Sequence, residues 1–515
     1  MGLIQLVKNL DAYTKTELLG SETTRILRLT FTNSDYEALD DNILNEAILI
    51  QKGIELVRNK NLRMKLIDSL KKEQLQNIGI RNFSEAESRY GDFEKFVDDF
   101  NIEPAFLQEE ANDSRQGQES IMPNQNEVKN IPSFPHPYQK RLKDKLLTRL
   151  NNNNSDKIVT SLPTGSGKTV LGMEIIVDLL RSSVLFNKNN TKILWLVSSK
   201  ELAEQSFQSF KKTWLIKGDH SVCAQRFFGQ FNQLLFDVTT QVTFGTFDLL
   251  VSRKDSDQVN RFLSEIDYLF IDEVHQAEAF TYERIIHKYQ ELSSRYKIIG
   301  LTATPFRTSD SEFENFKQNF NGLFQLTDEA DNTIESPINY LTSLGYLSQV
   351  NFRILNNSEG NISEAEFYRT LNKAVADECE EIIKKGQNTI IFARSKSHAV
   401  ALSIYMTKCG LTNGLIVGET PDIVRKEMLG QFADKNKDLN ILINHQILAT
   451  GIDVPGMNSI FILGEIDSPS LALQILGRAM RGPKNGGNEQ NMVYLTKQNF
   501  NRLSDLNLLE STVLN

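Results

Sequence analysis

The run Ser161-Leu-Pro-Thr-Gly-Ser-Gly-Lys-Thr-Val170 limits what this chain can fold into more than any other stretch. An apolar segment ending in Ile158-Val159 precedes it and reads as a strand. The segment from Val170 to Leu180 follows it and reads as a helix. A strand, a glycine-containing turn and Lys-Thr opening a helix is how a chain builds a phosphate cradle. Gly165 and Gly167 let backbone N–H groups turn inward, and the helix N-terminus adds positive potential. In such a loop Thr164, Gly165, Ser166 and Gly167 wrap the phosphates. Lys168 reaches the β- and γ-phosphates, and the Thr169 hydroxyl holds Mg²⁺.

A chain of 515 residues has room for about three domains at ~150 residues each. No apolar segment approaches the ~18 residues of a membrane span. The start, Met-Gly-Leu-Ile-Gln-Leu, lacks the charged and apolar regions of a secretory signal. Cys223, Cys379 and Cys409 are too scattered for a disulfide framework or a metal set. They read as buried thiols of a reducing, cytoplasmic compartment, and no membrane partner is expected. The net charge of −9 excludes a broadly basic, DNA-coating protein. Residues 1–133 carry 23 acidic against 16 basic side chains, so the remainder is close to neutral. A nucleic-acid site on such a body is a local groove that uses backbone amides and hydroxyls as much as lysines.

Residues 1–107 carry no motif for chemistry. Asp41–Arg58 and Leu62–Leu75 show helical apolar spacing, and Thr24–Thr32 fits a strand or a helix. Ser84–Asp113 is conspicuously acidic: a solvated helix face, or a docking or autoinhibitory surface that repels nucleic acid. Residues 108–133 are polar, with few core-forming side chains, and read as a linker. Beyond them short apolar strands alternate with amphipathic helices, the pattern of a parallel sheet covered on both faces. One series comprises Lys157–Thr160, Ile193–Val197, Gln241–Thr243, Tyr268–Ile271 and Lys297–Leu301. A second comprises Thr389–Phe392, Gly414–Val417, Leu439–Ile443, Ser459–Leu463 and Asn491–Leu495. With a polar join around Asp310–Thr333, they predict two α/β lobes, at 134–335 and 336–515, behind a mainly helical N-terminal accessory region.

Tyr268-Leu-Phe-Ile271 delivers Asp272-Glu273-Val274-His275 at a strand's end, 104 residues after Lys168. An acidic pair there suits a Mg²⁺-nucleotide: Asp272 holds the metal's water shell, and Glu273 orients and deprotonates the attacking water. Thr302-Ala-Thr-Pro305 follows the next strand, where its hydroxyls can relay the state of that pair.

These residues resemble motifs I, II and III of superfamily 2 helicases of the DExH type. In the second lobe, Ile390-Ile-Phe-Ala-Arg-Ser395 is similar to motif IV. Gly418-Glu-Thr-Pro421, with Arg425 and Phe432, is similar to the segment after it. Ala449-Thr-Gly-Ile-Asp-Val-Pro455 resembles motif V, and Gln474-Ile-Leu-Gly-Arg-Ala-Met-Arg481 resembles motif VI. Tyr138-Gln139 is similar to the adenine-reading element, Ser198–Gln205 to motif Ia, and Phe244-Gly-Thr246 to a later strand-contacting motif. Leu-Thr-Ala-Thr-Pro-Phe-Arg307 and Gly345-Tyr-Leu347 are nearest to DNA-repair helicases and restriction-enzyme motor subunits. His136 stands where many relatives carry arginine, and Asn444-His445 where a threonine is more usual.

The resemblance implies two tandem RecA-like parallel-sheet lobes with ATP and Mg²⁺ between them. Lobe 1 then supplies Tyr138, Gln139, the phosphate loop, Asp272 and Glu273. Lobe 2 supplies Gln474, Arg478 and Arg481, with Gly451 and Asp453 beside the nucleotide. The spacing of Arg478 and Arg481 predicts one helix face for both, with Arg481 as the arginine finger. Ser199, Lys200, Gly245 and Thr246 of lobe 1, with Arg394 and Thr450 of lobe 2, are expected to hold nucleic-acid phosphates. The expected function is an ATP-dependent translocase or helicase on DNA. The chain ends about 34 residues after motif VI, and no nuclease signature is recognisable. A protein partner that supplies nuclease or targeting in restriction, defence or repair is therefore expected. An RNA helicase and an ATP-gated interaction protein are the alternatives.

Overall fold

The computed structural model describes all residues except 1, 33–36, 54, 78, 103–115, 125–134, 186–190, 235–239, 254–255, 275–279, 304–319, 356–361, 419, 435, 446–455, 467–468 and 506–515. Eight strands form the sheet of lobe 1: β1 (Gln118–Ile121), β2 (Asp156–Ser161), β3 (Ile193–Val197), β4 (Val222–Phe227), β5 (Thr240–Thr246), β6 (Tyr268–Asp272), β7 (Lys297–Thr302) and β8 (Gly322–Phe324). Their order is β1-β4-β5-β3-β6-β7-β2-β8. Among the described residues of this sheet, only the β1–β4 pairing is antiparallel. Among the described residues, lobe 2 has six parallel strands: β9 (Gln349–Ile354), β10 (Asn388–Phe392), β11 (Asn413–Ile416), β12 (Ile441–Asn444), β13 (Met457–Ile462) and β14 (Gln490–Leu495). Their order is β11-β12-β10-β13-β14-β9.

Central strands such as Ile193-Leu-Trp-Leu-Val197 are buried along their whole length, as a sheet covered on both faces requires. The helices between strands start at recognisable caps. Ser199 accepts from Leu202 N at the head of Lys200–Lys217, and Ser395 from His398 N at the head of Lys396–Lys408. Among the described residues, no helix is long and apolar enough to cross a membrane.

The N-terminal region is helical. Thr24–Thr32 falls in the helix Ser21–Phe31, while Asp41–Lys52 stops at Gly53, whose φ of +33° an L side chain rarely adopts. These helices pack on lobe 2 and share one apolar cluster with its helices Glu364–Lys384 and Lys396–Lys408. The two lobes also meet in a common cluster that includes Leu162, Tyr346, Leu347 and Met480.

Three expectations need correction. Of the three thiols read as buried, Cys379 is buried, Cys223 is half-buried and Cys409 is exposed. The stretch 108–133, read as a linker, contains β1, because Arg226 of β4 reaches across to Glu119 and to the carbonyl of Gln116. The polar join 310–333 contains β8, which extends the sheet beside β2.

Candidate active site

β2 ends at Ser161, and the helix Lys168–Leu185 begins seven residues later. The turn between them is held by its own atoms and by β7: Ser166 Oγ donates to Pro163 O at 2.6 Å, and Leu162 N to Thr302 O at 3.0 Å. Gly165 and Gly167 both have φ of +82°, which bends the loop as a phosphate cradle needs. Tyr138 and Gln139 lie beneath the loop. The Tyr138 hydroxyl donates to Ser166 O at 2.7 Å, and Gln139 Nε2 donates to Ser166 O at 3.1 Å and to Gly167 O at 3.2 Å.

β6 lies two strands from β2 in the sheet and brings the acidic pair to the same carboxyl edge. Thr169 Oγ1 donates to Asp272 Oδ2 at 3.1 Å, and Lys168 Nζ stands 3.2 Å from Glu273 Oε1. Glu273 takes φ of +53°, and its N–H donates to Asp272 Oδ1 at 3.0 Å. A non-glycine residue in that region is held by its surroundings, and such strain gathers at functional positions. Burial, and then the charge of Glu273, raise the Asp272 carboxyl to about 6 against the pull of Lys168 and Thr169. A half-buried carboxylate beside a hydroxyl and a second carboxylate is a donor set that fits a hard divalent cation. Thr302, the first hydroxyl of the third motif, is buried at the end of β7; Thr304 and His275 lie outside the described residues.

Lobe 2 closes the site with the helix Pro469–Ala479. Gly477 sits so close to the loop that a Cβ there would collide with Thr164. A Cβ on Gly165 would in turn lie 3.1 Å from the Gly477 carbonyl oxygen and 3.5 Å from Met480 Cβ. The Thr164 hydroxyl is buried at this contact with no hydrogen-bond partner among the described residues. Gln474 is one turn before Gly477 and Arg478 is the next residue; both are half-buried. Arg481 departs from the expectation of a shared helix face. The helix ends at Ala479, and Arg481 instead bridges Leu347, with its carbonyl accepting from the Ser348 hydroxyl. Gly482-Pro483 after it cannot continue a helix, a stop signal that was readable.

Along the same carboxyl edge, on the side toward β5, the expected nucleic-acid residues of lobe 1 come together because Val197 of β3 pairs with Thr246 of β5. Ser199 caps a helix, Gly245 and Thr246 are buried, and Lys200 is 70% exposed. In lobe 2, Arg394 stacks over Phe367 at 5.1 Å and lies 3.5 Å from Glu465. Thr450, Gly451 and Asp453 lie outside the described residues.

Sequence reasoning missed the seam beside the loop. The rings of His136, Tyr138 and Tyr346 pack together, and His136 Nε2 is 2.8 Å from Asn485 Oδ1. Gly345-Tyr-Leu347 stood out in the sequence, but nothing local there said that it faces His136.

Residues 133–307 match the family described as the res subunit of type III restriction enzymes, and residues 373–483 match the helicase conserved C-terminal domain. The candidate ATP-dependent helicase IRC3 of Saccharomyces cerevisiae is 24% identical over 341 residues, 63% of this chain and 46% of that protein. The chain thus spans about half the length of this relative. A fragment structure of a candidate HsdR subunit of a type I restriction enzyme from Vibrio vulnificus superposes with a TM-score of 0.51 at 17% identity, covering 80% of this chain and 70% of that one. The Saccharomyces cerevisiae Dbp5 structure bound to RNA and ADP BeF3 also scores 0.51 at 17% identity, covering 73% and 88%. Both likenesses show the fold. With the two matched domains lying on the two lobes, and together taking in more than half of its residues, the chain belongs to the superfamily 2 helicases.

Proposed function

We propose that this chain is a nucleic-acid-dependent ATPase that moves along or unwinds DNA. In this reading it is the motor subunit of a restriction, defence or repair assembly whose partner protein supplies nuclease or targeting. One observation carries the reading: the helix bearing Gln474 and Arg478 leaves lobe 2 and lies against the phosphate loop of lobe 1, with Gly477 on Thr164. A site divided in this way is complete only when both lobes close, so hydrolysis is tied to movement between them.

The residues then have separate tasks. Lys168, now paired with Glu273, turns to the nucleotide's phosphates and leaves the carboxylate to orient and deprotonate water. Thr169 and Asp272 would hold Mg²⁺, which when bound neutralises charge on the β- and γ-phosphates. Arg478 or Arg481 stabilises charge at the transferring phosphoryl group, a contribution of roughly 10³–10⁵ in rate for an arginine finger. Lys200 and Arg394 hold phosphates of the strand without reading bases, so binding is sequence-tolerant and salt-sensitive.

The test is ATPase rate with single-stranded DNA, duplex DNA and RNA, side by side. The expected result is stimulation by DNA, with Lys168→Ala lowering kcat at least about 100-fold. Stimulation by RNA alone would overturn the DNA assignment. Hydrolysis indifferent to any nucleic acid would overturn the motor reading.

A further inference from the structure

The N-terminal helix Ser21–Phe31 runs beside the lobe 2 helix Lys396–Lys408, and in the same direction. Thr23 Oγ1 lies 3.0 Å from Ser397 Oγ near their starts, and the rings of Phe31 and Tyr405 meet at 6.3 Å near their ends. Lys396–Lys408 follows directly from the carboxyl end of β10, so the start of the N-terminal helix stands at that edge too. Arg394, expected to hold a strand phosphate, is in the turn between them. Glu22 faces the end of β12: burial lowers the His445 imidazole, and the charge of Glu22 pulls it back up. One turn on from Glu22, Arg25 meets Glu364 at 2.6 Å, at the head of the helix Glu364–Lys384. That same helix lays Phe367 against the Arg394 guanidinium at 5.1 Å. Tyr368 feels both arginines: burial raises its hydroxyl, while the charges of Arg394 and then Arg25 pull it down.

Two guanidinium groups are thus set on one rim of lobe 2, each against a carboxylate that water reaches. Glu364 is 49% exposed and Glu465, beside Arg394, is 59% exposed. Exposed pairs of this kind contribute little to stability, so exchanging the carboxylate for another anion costs little. A guanidinium binds carboxylate and phosphate through the same fork of donors. We propose that the start of the helix Ser21–Phe31 forms part of the strand track on lobe 2, with Arg25 holding a backbone phosphate farther along the strand than the one at Arg394. The N-terminal region then belongs to the nucleic-acid site as well as covering the helices of lobe 2. This rests on the motor function proposed for the chain.

The test uses the full chain and fluorescence anisotropy with labelled single-stranded DNA, and with RNA of the same sequence, across a series of salt concentrations. On the strand that the wild type binds, Arg25→Ala removes one phosphate contact. It is expected to weaken binding about fivefold at about 0.1 M salt and to flatten the plot of log affinity against log salt by about 0.7. Arg25→Lys keeps the charge and the slope. Glu364→Gln removes the carboxylate that competes for Arg25 and tightens binding. Lys384→Ala, the same loss of charge at the opposite end of the helix Glu364–Lys384, leaves affinity and slope unchanged. If Arg25 only fastens the helix to lobe 2, Arg25→Ala and Glu364→Gln break the same pair and weaken binding together, which overturns the proposal. Equal losses in Arg25→Ala and Lys384→Ala, or no loss in Arg25→Ala, also overturn it and leave the motor function standing. A wild type that binds neither strand overturns the motor function itself, and this proposal with it.

Discussion

Two pieces of chain outside the nucleotide-binding halves are fastened to them by opposite means. The N-terminal helices lie on lobe 2 through apolar burial: Ile26 and Leu27 join one cluster with Leu371, Val375, Ala399 and Leu402. β1 is held to lobe 1 by four ladder pairings and by charge. The Arg226 side chain is fully buried, 2.6 Å from Glu119 and 2.7 Å from Glu204, with its guanidinium 3.6 Å above the Phe207 ring. Apolar contact is non-directional and spread over many residues, so no single side chain carries it. An ionic clasp concentrates the attachment in one residue and fails when that residue goes. One attachment should therefore yield only to wholesale removal, the other to a point change.

Removing residues 1–102 should have the largest effect. It strips the cover from Glu364–Lys384 and Lys396–Lys408 and forfeits on the order of 10 kcal/mol of apolar burial, as much as a domain's whole stability. The expected outcome is an insoluble chain, or calorimetry in which the lobe 2 transition is lost and that of lobe 1 persists. A soluble truncation with both transitions intact would break the comparison. For the same reason the autoinhibitory reading of the acidic segment is tested on the full chain, by neutralising the exposed Glu87 and Glu94 and measuring DNA affinity. Next comes Arg226→Ala, which takes the shared guanidinium from two glutamates that are 18% and 19% exposed, leaving Glu119 with Lys211 and Glu204 with Gln208. A cost of about 3 kcal/mol is expected in the urea unfolding of lobe 1, with part of it recovered when Glu119→Gln and Glu204→Gln are added.

The same contrast separates what could be read in the sequence from what could not. The apolar strands were legible because burial on both faces leaves a short apolar run, as in β3 and β10. β4 was not, since Gln225 and Arg226 interrupt its run although both are buried. β1 was hidden in a polar stretch, because the charge that secures it lies about a hundred residues away in sequence. In the site, the meeting of Lys168 and Thr169 with Asp272 and Glu273 was legible from strand-end logic alone. Parallel strands carry their carboxyl ends to one edge. The packing of Gln139 beneath the loop was not legible. It needs Gly167, where a Cβ would stand 2.6 Å from Gln139 Nε2, and the N–H of His136, whose ring finds its partner, Asn485, in the other lobe.

A smaller effect is expected within lobe 2, where His398 holds the turn that carries Arg394. Arg394 N donates to His398 Nδ1 at 3.2 Å, and His398 Nε2 lies 2.9 Å from Asn372 Oδ1. Burial, and then the charge of Arg394, push this imidazole down to about 3. In the unfolded chain it titrates near 6.5, so on acidification the unfolded state takes up a proton that the folded state refuses. Its contribution is complete above about pH 6.5 and is lost as pH falls toward 3, by roughly 2 kcal/mol at pH 5. Urea midpoints at pH 7 and pH 5 should differ by more in the wild type than in His398→Gln. Equal differences would mean that the histidine is not held neutral.

The smallest effect sharpens the opening contrast most. Arg25 of the helix Ser21–Phe31 meets Glu364 of lobe 2 at 2.6 Å, the same kind of pair that fixes β1, but their side chains are 48% and 49% exposed. Water screens this pair, and two flexible side chains lose entropy in forming it, so Arg25→Ala should cost less than about 1 kcal/mol. Two residues on, at the buried side of the same helix, Leu27→Ala should cost about 2–5 kcal/mol. A double-mutant cycle on Arg25 and Glu364 measures the pair itself, with a coupling of about 0.5 kcal/mol expected at low salt and less at high salt. A coupling above about 2 kcal/mol, a value of buried rather than exposed ion pairs, would show that the N-terminal region is clasped by charge as well as covered by apolar contact. In that case a single substitution could loosen it from lobe 2, and its attachment would no longer differ in kind from that of β1.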